Sequence, residues 1–193
     1  MSITNFVQKI NVMNYKILIA FVILFVSCSS NQKNNEMKKM NIILKSNAFL
    51  EAEMIPQRFT CDNQNISPQL SWSGQPAETK SFAIICSDPD APSGDFVHWV
   101  IYNIHVSVTQ LSESIRPTEK LADGTLQGLN SSGRIGYMGP CTPSGVHRYY
   151  FHIYALDTSI TDYQLNKVSL LAKMKGHILA EGELMGRYTR MKK

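Results

Sequence analysis

Short runs of β-forming residues alternate with clusters of proline, glycine and asparagine, and this alternation restricts the folds open to the chain. The runs predicted as strands are 42–46, 70–72, 81–87, 96–105 and 147–156. Short strands bounded by turn-forming residues are typical of two packed antiparallel sheets. The sequence shows no glycine-rich phosphate loop after a strand and no internal repeat. It therefore predicts a mainly β fold, a sandwich of two antiparallel sheets.

The C-terminal part of the chain changes to a helical period. The stretch 166–174 predicts a helix with Asn166 as its N-cap, and Gly176 interrupts the pattern. The stretch 177–184 predicts a second short helix. We therefore expect the sandwich to carry short C-terminal helices.

The N-terminus has the pattern of a secretion signal. Lys9 and Lys16 precede an unbroken apolar run at 17–26, and a serine follows just before Cys28. Such a run is too short to span a bilayer as a helix, but it suits the apolar core of a signal peptide. A small residue directly before a cysteine resembles the lipobox of bacterial lipoproteins, which implies cleavage before Cys28 and lipidation of its thiol. Met13 is a second candidate for the true start, because residues 13–16 already supply a compact basic segment before the apolar run. The alternatives to a lipoprotein signal are an uncleaved N-terminal anchor and a misannotated start.

These features divide the chain into three parts. Residues 1–27 are expected to form a lipoprotein signal peptide, and residues 28–40, rich in asparagine and lysine, a lipidated flexible tether. Residues 41–193 are expected to form the folded domain. The predicted location is the bacterial cell envelope, outside the cytoplasm, with the lipid anchor in contact with a membrane.

The charge of the chain is too small to indicate a nucleic-acid partner. The formal net charge is +4, and removal of residues 1–27, which carry two lysines and no acid, leaves +2. No basic stripe is present in the remaining sequence. Nucleic acid is therefore not expected as a partner.

Three cysteines remain after Cys28. Cys86 lies inside an apolar run and is expected to be a small buried hydrophobic residue. Cys61 and Cys141 both lie among turn-forming residues, and an oxidising compartment favours a disulfide between them. Two free thiols are the alternative.

Polar residues collect at the ends of the predicted strands. An Asp-Pro-Asp-Ala-Pro segment at 88–92 follows the apolar run 82–86, and His98 follows soon after. Further on, Gly-Pro-Cys at 139–141 precedes His-Arg-Tyr at 147–149. Proline fixes φ and restricts the preceding residue, so both aspartates lie on a rigid loop, where binding sites are often built.

Strand periodicity predicts where these side chains point. Within 147–156, His147 and Tyr149 share a face with an apolar series, whereas the alternate residues share the other face. By the same count, His98 shares a face with Val100, Tyr102 and Ile104. Polar groups at the ends of apolar faces are the pattern expected of a pocket mouth.

Together the motifs at 88–92, 98–99, 139–141 and 147–149 resemble the phosphatidylethanolamine-binding protein family, which includes Raf kinase inhibitor protein. Segments 60–62, 66–72 and 176–190 are similar to its bacterial branch, and the resemblance runs from about residue 42 to residue 190. It implies a sandwich of two antiparallel sheets with helices near the C-terminus. It also implies a pocket for phosphate-like anions, including phosphoethanolamine-type head groups.

The resemblance assigns a set of ligand-binding residues to this pocket. Cys141 belongs to this set and lies at a position where other members of the family often carry proline. A disulfide between Cys141 and Cys61 would therefore replace the rigid pocket wall that proline provides in those members. The other assigned residues are Asp88, Asp90, Pro92, His98, Gly139, Pro140, His147 and Tyr149.

Electrostatics predicts an indirect role for the two aspartates. An ionised carboxylate repels phosphate, so Asp88 or Asp90 is expected to orient a histidine and raise its pKa, which lets His98 and His147 face the anion. Tyr149 and the loop N–H groups would donate further hydrogen bonds. One of the two aspartates is expected to cap the proline-rich turn, and the sequence leaves open which one.

The main prediction is a protein that binds a phosphate-bearing small molecule or a phospholipid head group and modulates a partner protein, not an enzyme, and that needs no cofactor or metal. One alternative, which the family resemblance implies, is an interaction protein that inhibits an extracytoplasmic protease. Another is a metal-dependent enzyme using His98, His147 and Asp88 or Asp90. A cysteine hydrolase would use Cys141 and His147, and a disulfide at Cys141 would remove its nucleophile.

Overall fold

The computed structural model describes residues 40–190, and residues 1–39 and 191–193 lie outside this range. The described chain contains nine strands, one α-helix and a 3-10 turn at Gln57–Phe59. The strands and the helix, in chain order, are β1 Met40–Asn41, β2 Ile43–Lys45, β3 Leu70–Ser73, β4 Ser81–Asp88, β5 Phe96–His105, β6 Gln110–Leu111, β7 Leu126–Gln127, β8 His147–Leu156, α1 Lys167–Met174 and β9 Ile178–Tyr188.

The strands form two sheets, and the predicted mainly β class with two antiparallel sheets is confirmed. The larger sheet has the order β1-β9-β8-β4-β5-β7, and the smaller sheet has the order β2-β3-β6. All pairs are antiparallel except the short edge pair of β1 with β9.

The main core lies between the two sheets, and a second core lies on the outer face of the larger sheet. Trp72 of the small sheet packs edge-to-face on Phe82 of β4 in the main core. Leu170 and Met174 of α1 belong to the second core, on the opposite face of the sheet. Because apolar layers cover β4 from both sides, all eight of its residues are buried, and its sequence is a nearly continuous apolar run.

The predicted facing of β8 is confirmed. Its residues alternate between buried and more exposed positions from His147 onward. Tyr149 and Phe151 belong to the main core, whereas Arg148 points outward. The polar start of the strand is therefore continuous with the inner apolar face.

The predicted facing of β5 is wrong, because irregular backbone geometry interrupts its alternation twice. Cys86 pairs with Trp99 and Ser87 with Val97, so His98 is an extra residue in a β-bulge. The second irregularity lies near Asn103, whose φ is +55°. As a result His98 contacts Tyr149 of the inner side, Val100 and Tyr102 join the outer core, and Ile104 returns to the main core.

The predicted helix at 166–174 is confirmed. Helix α1 begins with Asn166 as its N-cap, and the Asn166 side chain and Ser169 form a reciprocal capping box. Gly176 has a φ of +85°, a conformation that glycine adopts without steric cost, and the helix ends before it.

The predicted second helix at 177–184 is wrong, because this segment belongs to strand β9. Its backbone pairs with β8 along ten residues and with β1 on the other side. A Cβ atom at Gly182 would lie 2.0 Å from the carbonyl oxygen of Ile42, so a side chain is excluded where β9 packs against the backbone at residue 42. Tertiary pairing decides the conformation of a segment whose local pattern also fits a helix.

The predicted signal peptide, the lipidation of Cys28 and the tether up to residue 39 lie outside the described residues. Met40, placed at the end of the predicted tether, already pairs with Ala180 in the larger sheet. Between residues 40 and 190, no helix has the length and apolarity that a membrane span requires.

Candidate functional site

A small cavity of about 220 Å³ opens where β4 ends and where β5 and β8 begin. Its walls come from these strands, from the loop after β4 and from the loop before β8. The lining residues are Asp88, Ala91, Pro92, Ser93, Phe96, His98, Met138, Cys141, Thr142, Pro143, His147 and Tyr149. Six of the residues expected from the sequence are thus brought together around one cavity.

Asp88 supports both the loop and a histidine. Its Oδ1 atom accepts a hydrogen bond from the backbone N–H of Asp90 at 2.8 Å, which closes the proline-rich turn. Its Oδ2 atom lies 2.7 Å from Nδ1 of His147. Both side chains are nearly buried, with side-chain exposures of 4% and 9%. Because a carboxylate accepts, Nδ1 of His147 carries the proton, and Nε2 is the ring nitrogen left for a ligand.

His98 is oriented by the backbone and not by a carboxylate. Its Nδ1–H donates to the carbonyl oxygen of Met138 at 2.7 Å, and the N–H of Met138 donates back to the His98 carbonyl. Burial lowers the pKa of His98 from its usual value of 6.5, although the Met138 carbonyl and Asp88 act in the opposite direction. The expectation of a raised pKa is therefore wrong for His98, which is neutral at pH 7 with an unprotonated Nε2.

Tyr149 places a hydroxyl group in the same cavity. The ring of His98 packs edge-to-face on the Tyr149 ring, with centroids 5.1 Å apart. Burial raises the pKa of Tyr149 strongly, and the nearby Asp88 carboxylate raises it further, so the phenol stays protonated. Its oxygen is buried and makes no hydrogen bond of good geometry in the range 40–190, although the Asp88 carboxylate and the Cys141 backbone interact with it. A buried hydroxyl that is poorly paired destabilises the fold, and a ligand acceptor would complete its hydrogen bonding.

Asp90 is directed away from the cavity. Its carboxylate accepts two hydrogen bonds from the guanidinium of Arg148, at 2.9 and 2.7 Å, and one from the Arg148 backbone N–H. The hydrogen bonds from Arg148 lower the pKa of Asp90 to about 2. Asp90 thus fastens the loop to the outer side of β8, whereas Pro92 of the same loop lines the cavity. Asp90, expected from the sequence in the ligand-binding set, is therefore not among the residues that line this cavity.

Gly139 and Pro140 lie behind the cavity wall. The N–H of Gly139 donates to Oδ1 of Asn65 at 2.7 Å, and a Cβ atom at Gly139 would lie 2.4 Å from the Phe59 carbonyl oxygen. The carbonyl of Pro140 accepts from the N–H of Cys61. These two residues are absent from the lining and hold the loop against the chain near residue 60. The Gly139 N–H is already bound to Asn65, and Pro140 has no N–H, so neither donates to a ligand.

The structure joins Cys61 and Cys141 in a disulfide, with Cα atoms 5.4 Å apart. Cys141 lines the cavity, so the bridge is part of its wall. The bridged sulfur is not a nucleophile, which removes the basis of the cysteine hydrolase hypothesis. Cys86 is fully buried in β4 as a free thiol.

Six lining residues were not expected from the sequence. Phe96 packs against the His98 ring with centroids 5.0 Å apart, and Met138 anchors the same ring through its backbone. Phe96 lies two residues before His98, and Met138 lies directly before Gly139, so nearness in sequence to expected site residues indicates them. Their apolar side chains alone do not indicate a binding site. The remaining four are Ala91, Ser93, Thr142 and Pro143.

The other histidines of the described chain pair outside the cavity. His105 contacts Ser107, His152 lies 3.2 Å from Glu183, and His177 lies 2.8 Å from Asp157. In residues 40–190, no three histidine, cysteine or acidic side chains lie together in an arrangement that would hold a metal ion.

Comparison with known proteins identifies the family of this chain. The family model named phosphatidylethanolamine-binding protein matches residues 45–189. The chain belongs to this family. A relative within it is a UPF0098 protein from Methanothermobacter thermautotrophicus, which is 52% identical over 149 residues, covering 76% of this chain and 98% of that protein.

Two solved structures share the phosphatidylethanolamine-binding protein fold with this chain. A phosphatidylethanolamine-binding protein homologue from Chlamydia trachomatis is 41% identical, has a TM-score of 0.72, and is matched over 78% of this chain and 99% of its own. E. coli YbcL, described as a member of the mammalian family, is 32% identical, has a TM-score of 0.71, and is matched over 79% and 99%. The family domain therefore accounts for the described sandwich.

Proposed function

We propose that this chain is an envelope lipoprotein whose cavity binds a phosphate monoester, as a small molecule or as a phospholipid head group. The observation that carries the proposal is the Asp88–His147 pair beside the buried, poorly paired hydroxyl of Tyr149. The pair holds Nε2 of His147 as the free ring nitrogen, and the phenol supplies a donor that makes no well-formed hydrogen bond within the described residues.

The size and polarity of the cavity favour a small anion that carries a proton. Cavities for drug-sized ligands span roughly 300–1,000 Å³, so about 220 Å³ suits a head group better than a whole lipid. Tyr149 donates to one phosphate oxygen, and the neutral His98 accepts through Nε2. A phosphate monoanion offers both acceptor oxygens and a P–OH donor, which matches this set.

The negative charge of the Asp88 carboxylate restricts the protonation state in which a phosphate can bind. Its negative charge lies behind His147 and disfavours a phosphate dianion, unless a proton lies between the imidazole Nε2 and a phosphate oxygen. The second pKa of a phosphate monoester is about 6. The affinity is therefore expected to decrease as the pH rises above this value.

The binding test is a calorimetric titration of the domain from residue 40 onward with phosphoethanolamine and inorganic phosphate, at pH 5.5 and pH 8. Ethanolamine without phosphate is the control ligand, and His147→Ala is the control variant. We expect phosphate-dependent binding that is stronger at pH 5.5 and lost in His147→Ala. Equal binding by the variant, or none by the wild type at either pH, would contradict the proposal.

The lipoprotein part of the proposal is supported by the apolar run and the serine before Cys28. Its test is fractionation of cells that express the full chain or the Cys28→Ser variant. We expect the wild type in the membrane fraction with a mass increase at Cys28, and the variant without that modification. Identical mass and location of the two proteins would contradict lipidation.

A further inference from the structure

An apolar cleft opens at the edge of the smaller sheet, distinct from the candidate ligand cavity. The apolar cleft is a space of about 520 Å³, and its apolar lining residues are Ile43, Leu44, Phe49, Leu50 and Leu184. Leu44, Phe49 and Leu184 form its buried floor, whereas Ile43 is 55% exposed and Leu50 is 73% exposed. Large exposed apolar side chains that line one cleft together with buried apolar residues are typical of an interaction surface.

The cleft lies next to the point where the described chain begins. Met40 pairs with Ala180 of β9, and Ile43 is three residues further on, within about 11 Å along the backbone. Residues 28–39 connect Cys28 to Met40, and twelve residues span at most about 43 Å. A lipid on Cys28 would therefore hold Met40 within about 43 Å of a membrane surface, and this covalent attachment raises the effective concentration of the neighbouring cleft at that surface.

We propose that the apolar cleft rests on the lipid surface to which the chain is anchored, an inference that depends on the proposed lipidation of Cys28. Ile43 and Leu50 enter the apolar boundary of the bilayer, and the charged groups of the rim remain in water. The rim carries Lys45 together with Glu51 and Glu183, so its charge is mixed and does not favour anionic lipids. Attraction to the surface is apolar, and the tether makes a weak contact effective.

The state of the cysteines allows the domain to be attached to a membrane through Cys28 alone. The experiment uses the protein without residues 1–27, which begins at Cys28. In that protein Cys61 and Cys141 are bridged and Cys86 is fully buried, so the thiol of Cys28 is the one that reacts. The solved Chlamydia trachomatis homologue is matched over 99% of its own chain, so a chain that consists of this domain folds on its own. Coupling Cys28 to a maleimide lipid in phosphatidylcholine vesicles supplies the anchor without any cellular step.

Quenching by brominated phosphatidylcholine then reports contact with the lipid. The probe is the tethered Leu50→Trp variant, and the matched control is Val168→Trp, at a position 77% exposed on helix α1. The unsubstituted protein gives the background from Trp72 and Trp99, which are both buried. We expect at least twofold greater loss of emission for Leu50→Trp than for Val168→Trp, and we expect Ile43→Asp to cancel that excess.

Three outcomes would overturn the inference. They are equal quenching of the two tryptophan variants, an excess that survives Ile43→Asp, and a dimer of the untethered protein that Ile43→Asp dissociates, which would assign the cleft to a second copy of the chain. Each of these is independent of phosphate binding in the other cavity. Because the maleimide lipid replaces the natural anchor, a negative result here is also distinguishable from a failure of Cys28 lipidation in cells.

Discussion

Asp88 and His147 form a buried pair in which one carboxylate oxygen accepts from the imidazole and the other closes the loop that bears Asp90. The same side chain therefore fixes the backbone of the Asp-Pro-Asp-Ala-Pro loop and the orientation of a cavity histidine. The two tasks that the sequence divided between Asp88 and Asp90 both belong to Asp88. Asp90 instead stabilises the outer side of the loop through Arg148.

Substitution of Asp88 by asparagine is expected to reduce both stability and ligand affinity. The amide retains an oxygen for the turn but loses the charged acceptor that holds His147. Loss of a hydrogen bond to a charged group costs about 1.5–3 kcal/mol, or roughly 10- to 100-fold in affinity. Urea unfolding and calorimetric titration with phosphoethanolamine measure the two effects.

The matched control for this variant is Asp90→Asn. It removes the partner of Arg148, whose side chain is half exposed, and exposed ion pairs contribute at most about 1 kcal/mol. We expect the control to bind the ligand like the wild type. Equal loss of affinity in the two variants would show that the loop as a whole, and not the orientation of His147, governs binding.

Tyr149→Phe is expected to separate ligand binding from stability. The tyrosine hydroxyl is buried without a good partner in the described chain, so its removal leaves the unliganded melting temperature unchanged or raises it. The ligand loses a donor, and we expect affinity to fall by roughly 3- to 10-fold. Thermal melts with and without phosphoethanolamine provide both readouts. A variant that melts lower without ligand would indicate that the hydroxyl has a partner in the folded protein.

Protonation of His98 is expected to destabilise the unliganded fold below about pH 6.5. Burial lowers the pKa of His98 in the folded state, so the unfolded chain binds its proton at a higher pH. The stabilisation is complete above the unfolded value of 6.5 and decreases as the pH falls below it. Asp90, whose pKa is lowered to about 2, loses its contribution only in more acidic solution.

Urea unfolding at pH 7.5 and pH 5 measures this effect. The wild type is expected to lose more stability over this interval than His98→Asn, because asparagine keeps a polar side chain but does not titrate. His177→Asn, at an exposed histidine outside the cavity, is the control and should follow the wild type. If His98→Asn shows the same loss as the wild type, the pH dependence comes from other groups.

The strand pattern of the chain could be predicted from the sequence because two local signals agree. Apolar alternation and proline or glycine punctuation both set the limits of β8, and its buried face follows from counting residues. His98 shows where counting fails. Its direction depends on one extra residue that β5 accommodates opposite Cys86 and Ser87, and such a bulge is a property of the paired strands.

The segment after Gly176 shows a second limit. Its residues also fit a helical period, and only pairing with β8 and β1 decides that it forms β9. For the cavity, the titratable residues Asp88, His98, His147 and Tyr149 were predicted because their chemistry is distinctive. The apolar walls at Phe96 and Met138 were missed, because long-range packing makes them part of the site.

Loss of the Cys61–Cys141 disulfide is expected to weaken both the fold and the cavity. The bridge joins residues 80 positions apart, and in the chain-entropy model a loop of this size gives a stabilisation of about 4.5 kcal/mol. The paired Cys61→Ser and Cys141→Ser variant should therefore unfold at a clearly lower urea concentration. Its phosphate affinity should also fall, because Cys141 forms part of the cavity wall.

Thiol titration of the domain from residue 40 onward identifies the cause of this loss. The native domain should expose no reactive thiol, and after denaturation without reductant it should expose one, from Cys86. Wild-type protein in reductant should then match the double variant in urea unfolding. If the double variant unfolds at the same urea concentration as the oxidised wild type, the contacts of Gly139 and Pro140 alone hold this wall, and the disulfide adds nothing to it.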